Sequence, residues 1–127
     1  MRTNVRLRVL FGVMVALTTN PFVVAKEPLS IRVSPATSFA PANLIVRARI
    51  EPDAFNRAME IVADSEAFFR SSLIQLDGER APSVSNVEFR SLPPGQYEVK
   101  VALIGADGRP RAIARAHINV VESGASW

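Results

Sequence analysis

The side chains that could do chemistry in this sequence are few, and they do not converge on one position. His117 is the only histidine, and its neighbours in a period-two pattern, Arg115 and Asn119, place it on a solvent-facing surface rather than in a catalytic centre. The Ser71-Ser72 pair lacks the Gly-x-Ser-x-Gly spacing of a nucleophile elbow. These residues therefore do not predict acid–base or nucleophilic catalysis.

Metal and phosphate binding have equally little support. The chain has no cysteine, and Asp64 with Glu66 is the one carboxylate pair that we single out as a weak calcium site, with a solvated turn as the alternative interpretation. No glycine-rich loop follows a predicted strand, as phosphate binding would require. We therefore expect no catalytic residue, no metal and no cofactor.

The first 25 residues have the layout of a secretory signal peptide. A basic segment without acidic residues precedes the apolar run at 9–17, and Val23 and Ala25 occupy the positions that signal peptidase reads. The apolar run is shorter than the roughly 20 residues that a membrane-spanning helix needs. We predict cleavage after Ala25, with an uncleaved membrane anchor as the alternative. Because there is no cysteine, a lipoprotein anchor is excluded.

Removal of this leader changes the charge balance. The whole chain has 15 basic and 12 acidic side chains, and Arg2, Arg6 and Arg8 leave with the leader, so 12 basic residues balance the 12 acidic ones in what remains. A neutral domain gives no argument for binding nucleic acid or anionic lipid. We therefore predict a periplasmic or secreted protein without a stable membrane anchor, with one domain over 26–122 and a short flexible tail over 123–127.

Period-two patterning runs through most of the remaining chain. In Leu44–Glu51, apolar residues at the even-numbered positions alternate with Ile45 and three charged residues, as in a strand with one buried and one solvent-facing side. A helix over Ala54–Phe69 is the alternative for that part, because Ala, Met and Glu favour helix, and 68–76 is either one strand or a bent pair. The predicted strands are 29–33, 44–51, 59–64, 68–76, 84–92, 97–103 and 111–121.

The stretch LPPGQYEV at 92–99 has the composition of a corner between two strands. Pro93-Pro94-Gly95 reverses the chain, and Tyr97 enters the next strand directly afterwards. We expect its ring to pack under the corner and its hydroxyl to bond back to the preceding loop, a device of Greek-key sandwiches. Leu92, Gly95 and Tyr97 therefore form the predicted structural corner.

Seven short strands in about 100 residues, with a corner tyrosine near the sixth, resemble immunoglobulin-like and fibronectin type III domains. The resemblance covers 29–121 and includes the Asp107-Gly108 hairpin turn. The chain departs from antibody domains because it has no cysteine pair and no core tryptophan, Trp127 being its only tryptophan. Carboxypeptidase regulatory-like sandwiches share the Leu-Pro-x-Gly-x-Tyr run, so the exact topology stays open.

The combination of Asn56-Arg57, Phe69-Arg70-Ser71-Ser72 and Leu76-Asp77-Gly78-Glu79 also looks like small secreted bacterial sandwiches of unassigned function. The resemblance as a whole implies an all-β, seven-stranded antiparallel Greek-key β-sandwich, and it implies architecture and compartment rather than a mechanism.

Two non-enzymatic functions stay open: a protein-interaction or structural module, and a carbohydrate-binding accessory module. The second needs a platform of exposed rings, whereas we expect most phenylalanines to lie in the core and Tyr97 to be held in the corner. The phenylalanines considered are Phe39, Phe55, Phe68, Phe69 and Phe89.

For the interaction module, the candidate surface consists of arginines on predicted strands or at their ends, because arginine is enriched in protein interfaces. These are Arg47, Arg49, Arg57, Arg70 and Arg90. The alternative is that they pair across strands with Glu51, Glu60, Asp64 and Glu88 as ordinary sheet surface. The expected partner is another envelope or extracellular protein, and self-association is a second option.

Overall fold

The computed structural model describes residues 27–123, and every long element in that range is a strand. The elements are β1 (Leu29–Ser34), β2 (Thr37–Phe39), β3 (Ala42–Ile50), β4 (Asn56–Asp64), β5 (Phe69–Gln75), a 3-10 turn (Gly78–Arg80), β6 (Val84–Leu92), β7 (Gly95–Gly105) and β8 (Pro110–Val121). No helix within 27–123 is long and apolar enough to cross a membrane. The predicted leader and Trp127 lie outside the described residues.

The strands form two sheets that pack against each other. One sheet has three strands in the order β1-β3-β6, and the other has five in the order β2-β8-β7-β4-β5. All neighbouring strands run antiparallel except β2, which runs parallel to β8. The all-β class that the patterning predicted is therefore confirmed as a two-sheet sandwich.

Two details of the prediction were wrong. The described residues contain eight strands rather than seven, because β2 pairs with β8 through Thr37 and Asn119. This strand has three residues, too few for an alternating pattern, and it lies between Pro35 and Pro41. The helical alternative over Ala54–Phe69 is also wrong, since β4 bonds to β5 on one side and to β7 on the other. Ladder hydrogen bonds on both edges outweigh a weak helix propensity.

The core lies between the two sheets and is built from alternate residues of the central strands. In β3, burial alternates strictly along nine residues, with Leu44 and Val46 almost fully buried. From the other sheet, β4 contributes Met59 and Ile61 and β7 contributes Leu103, all without exposed surface. Small alanines of β8 face the core as well, which lets that strand approach β1 closely.

Candidate functional site

The predicted corner joins the end of β6 to the start of β7. Leu92 is fully buried at the end of β6, and Gly95 has a φ of +157°, which residues with side chains rarely adopt. Tyr97 is buried, and its Oη donates a hydrogen bond to the carbonyl oxygen of Pro93 at 2.7 Å. The Phe68 ring meets the tyrosine ring edge-on, with 6.3 Å between centroids. This corner is a structural element, because the Tyr97 hydroxyl is bonded within the fold.

The structure does not bring the five candidate arginines into one cluster. Arg57 donates to the carbonyl oxygen of Ala54 in the loop before β4. On β5, Arg70 donates to the carbonyl oxygen of Arg90 at 2.8 Å and so connects the two sheets. On β6, Arg90 forms an ion pair with Glu88, with 2.9 Å between Nε and Oε1. Each of these three side chains is held by local contacts. Arg70 and Arg90 lie next to each other, whereas Arg57 has its contact elsewhere, at Ala54.

Arg47 and Arg49 do share a surface, and the structure adds a third arginine to it. Arg32 of β1 lies directly opposite Arg47 of β3, and Ser30 lies opposite Arg49. All three arginines are exposed, and none has a carboxylate partner within the described part of the chain. A shallow depression of about 160 Å³ lies between them. We call this surface, formed by Ser30, Arg32, Arg47 and Arg49, the arginine face.

Sequence reasoning missed Arg32, although a signal for it was present. In the predicted strand 29–33, Arg32 alternates with Ile31 and Val33, and this alternation predicts that its side chain faces solvent. Its position opposite Arg47 depends on the register between β1 and β3, which the local pattern does not contain.

A groove of about 720 Å³ includes His117 and three acidic residues. His117 Nε2 lies 3.8 Å from Glu98 Oε2, and both side chains are well exposed. Asp64 and Glu66, the weak calcium pair of the prediction, also line this groove. Residues 27–123 contain no group of three or more His, Cys, Asp or Glu placed to hold a metal ion.

A buried polar network at the opposite end of the sandwich has a structural role. Asn56 is fully buried; its Nδ2 donates to the carbonyl oxygen of Glu51 at 3.0 Å, and its Oδ1 accepts from Arg111 Nη1 at 2.6 Å. Arg111 Nη2 also meets Asp53 Oδ2 at 3.2 Å. The backbone N–H of Phe55 donates a hydrogen bond to the Asp53 carboxylate. This bond, together with Arg111, holds the pKa of that carboxyl below its ordinary value.

Most of the phenylalanines that we expected in the core are not there. Phe39, Phe55 and Phe69 are 66%, 62% and 63% exposed, whereas Phe68 is half-buried and Phe89 is buried. These three rings are exposed because two of them lie on edge strands and one lies on a loop, where no second sheet covers them.

The exposed rings do not form one platform. Phe39 on β2 and Phe69 on β5 occupy opposite edges of the five-stranded sheet, about 19 Å apart at 4.8 Å per strand. Phe55 lies in the loop before β4, beside Arg111.

Comparisons with known proteins give likenesses of fold. Searches of protein families and of curated proteins gave no match. Among solved structures, the superoxide reductase (neelaredoxin) from Ignicoccus hospitalis is similar at 14% identity and a TM-score of 0.59, over 74% of this chain and 80% of that one. A family 76 glycoside hydrolase from a bovine Bacteroides thetaiotaomicron strain is similar at 15% identity and a TM-score of 0.56, over 76% of this chain but only 21% of that one.

A third likeness is to the CARDB domain of a Pyrococcus furiosus protein, at 10% identity and a TM-score of 0.46 over 78% of this chain and 100% of that one. At such identities the likenesses concern the sandwich fold alone. The superoxide reductase and the matching 21% of the glycoside hydrolase share that fold with this chain, and the activities of the two enzymes belong to them.

Proposed function

We propose that this chain is a non-catalytic, periplasmic or secreted sandwich that binds another envelope or extracellular protein through the arginine face. The order of its strands supports an immunoglobulin-like, Greek-key arrangement, in which three strands face a sheet that holds the corner tyrosine. Such sandwiches serve as rigid scaffolds whose function resides in the surface that they carry.

The observation that carries this proposal is the direct opposition of Arg32 and Arg47, neither of which forms an ion pair with a carboxylate among the described residues. Like charges placed opposite each other on adjacent strands destabilise a sheet. With Arg49 on the next outward position of β3, three guanidinium groups project from one sheet face. A surface that is unfavourable for the isolated domain becomes favourable when carboxylates of a partner cover it.

Guanidinium groups also define the chemistry of that partner. Arginine binds carboxylates in a bidentate geometry and is enriched at protein interfaces. Ser30 beside Arg49 adds a hydroxyl that can donate or accept. We therefore infer an acidic protein surface or segment, rich in aspartate and glutamate, as the partner.

The carbohydrate-binding alternative has less support. A sugar platform needs rings side by side, whereas the exposed rings Phe39, Phe55 and Phe69 lie on separate elements of the described chain. The groove around His117 is lined by charged side chains, and no other observation on the described residues indicates that it binds a ligand.

Co-purification from the native envelope fraction with a mild cross-linker tests the proposal. The double variant Arg47→Ala/Arg49→Ala should lose the partner that the wild type retains. The matched control is Arg109→Ala/Arg115→Ala, which removes the same charge from the opposite sheet and its hairpin and should retain the partner. Failure of the wild type to capture any protein, or equal capture by both double variants, would contradict the proposal.

A further inference from the structure

β5 forms one edge of the five-stranded sheet and offers unpaired backbone groups on its outer side. Two hydrogen bonds show which residues of β5 face β4 with their backbone groups. Ser65 N–H donates to the carbonyl oxygen of Phe68, and Leu76 N–H donates to the carbonyl oxygen of Arg57, both at 2.8 Å. Because hydrogen-bonded pairs alternate along an antiparallel ladder, the even-numbered residues of β5 bond to β4. The odd-numbered residues therefore direct their N–H and C=O groups to the open edge.

The same odd-numbered residues present an uncharged row of side chains that includes two large apolar ones. Phe69 is 63% exposed and Leu73 is 59% exposed, with Ser71 between them and Gln75 after them. Natural sheets protect exposed edges with charged side chains, prolines or short strands. The row on β5 has none of these devices.

The other sheet edges of the described chain are protected in these ways. β2 has three residues and lies between two prolines. β1 carries Arg32, and β6 carries the ion pair of Arg90 with Glu88. The exception at β5 therefore indicates a specific use of that edge.

The one charged residue of β5 does not cover this edge. Arg70 belongs to the even-numbered set, its Nη1 donates to the carbonyl oxygen of Arg90, and its guanidinium lies 5.1 Å from the centre of the Phe68 ring. These contacts turn the side chain toward the three-stranded sheet. The outer row is left accessible.

We propose that β5 pairs antiparallel with β5 of a second copy, around a twofold axis at Ser71. In this register Ser71 faces Ser71 of the second copy. Phe69 of each copy faces Leu73 of the other, so this pair occurs two times. All three positions belong to the set with free backbone groups, so the pairing forms about six N–H···O bonds, two for each pair. Apolar side chains directly opposite each other on one face add to the stability.

Self-complementarity is what identifies the occupant as a second copy. Sliding one strand by two residues would place Phe69 opposite Gln75 and Leu73 opposite Ser71, and the apolar pairs would be lost. A twofold interface uses the same patch on both subunits, as this register does. The arginine face lies on the other sheet, so this inference stands apart from the proposed function.

Disulfide trapping tests the register directly, because the chain has no native cysteine. In Ser71→Cys the two Cα atoms would lie about 5.5 Å apart, which suits a disulfide. In the matched control Leu73→Cys, they would lie about 14 Å apart, too far to bridge. Mild oxidation should therefore link Ser71→Cys at least about tenfold faster than the control. Equal linking, or none at high protein concentration, would overturn the proposal.

Charge at the axis provides a second test, measured by sedimentation velocity at high concentration because an edge-to-edge interface is small. Ser71→Lys and Ser71→Asp should each weaken dimerisation about tenfold, and an equimolar mixture should recover the dimer. Ser83→Lys, at an exposed serine in the loop before β6, should dimerise like the wild type. The proposal fails if Ser71→Lys dimerises as the wild type does, or if the mixture gains nothing over either variant.

Discussion

Tyr97 donates its hydroxyl hydrogen to the carbonyl oxygen of Pro93 at 2.7 Å, four residues back along the chain. The side chain has only 1% of its surface exposed, and it lies on the central strand of the larger sheet. A single residue thus joins the core to the corner that connects the two sheets. The stability of the fold should depend on its ring more than on its hydroxyl.

Substitutions at Tyr97 should separate these two contributions. Tyr97→Phe loses one hydrogen bond and should lower the free energy of unfolding by about 0.5–1.5 kcal/mol. Tyr97→Ala also leaves a cavity between the sheets and should cost about 3–5 kcal/mol. Denaturant titration measures both values. An alanine variant with the midpoint of the wild type would show that the corner does not stabilise the fold.

Arg111→Ala should destabilise the fold through the buried asparagine. Asn56 Oδ1 would lose its partner in a position without solvent access, which costs about 1–3 kcal/mol. Arg109→Ala in the same hairpin is the control, since the described residues give its side chain no partner, and its effect should stay within about 0.5 kcal/mol. Thermal and denaturant unfolding of the two variants should differ accordingly.

The pKa of Asp53, lowered by the Phe55 N–H and by Arg111, predicts a pH dependence of stability. A carboxyl with a lower pKa in the folded state stabilises that state above its unfolded pKa of about 3.9 and loses this effect as pH falls through the folded value. Asp53→Asn should therefore be less stable than the wild type at neutral pH. The two unfolding curves should converge in acid, and a difference that persists at pH about 2 would contradict the assignment.

Local pattern predicted the strands whose side chains alternate, because one face of each is covered by the other sheet. Leu44 and Val46 are buried, as the alternation indicated, and Arg47 and Arg49 are exposed. The pattern could not reveal β2, whose three residues are held by pairing with β8 across a long stretch of sequence. The expectation from residue type that Phe69 lies in the core was also wrong, because its position on an edge strand leaves the ring uncovered.

The candidate surfaces depended on register, which sequence alone does not contain. The sequence placed Arg47, Arg57 and Arg70 in one candidate set, but pairing between distant strands puts them on different parts of the molecule. The opposition of Arg32 and Arg47 and the free outer side of β5 both follow from the pairing of distant residues.

The leader prediction concerns residues outside the described range and is tested by mass. Protein recovered from the envelope fraction should begin at Lys26, because Ala25 suits the last position before a signal peptidase site. Ala25→Leu should slow processing, since a bulky side chain does not fit that position. An intact mass that still includes the first 25 residues of the wild type would contradict cleavage.

Charge reversal at Arg47 should separate the stability of the domain from its binding function. Arg47→Glu places a carboxylate opposite Arg32 and replaces a repulsive cross-strand pair by an attractive one. The free energy of unfolding should rise by about 0.2–1 kcal/mol at low salt, and the gain should shrink as salt screens the pair. Arg90→Glu is the control with the opposite sign, because it would break the ion pair with Glu88 and set two carboxylates side by side. If the arginine face binds an acidic partner, Arg47→Glu should gain stability and lose that partner. If Arg47→Glu is less stable than the wild type at low salt, Arg32 and Arg47 do not repel each other.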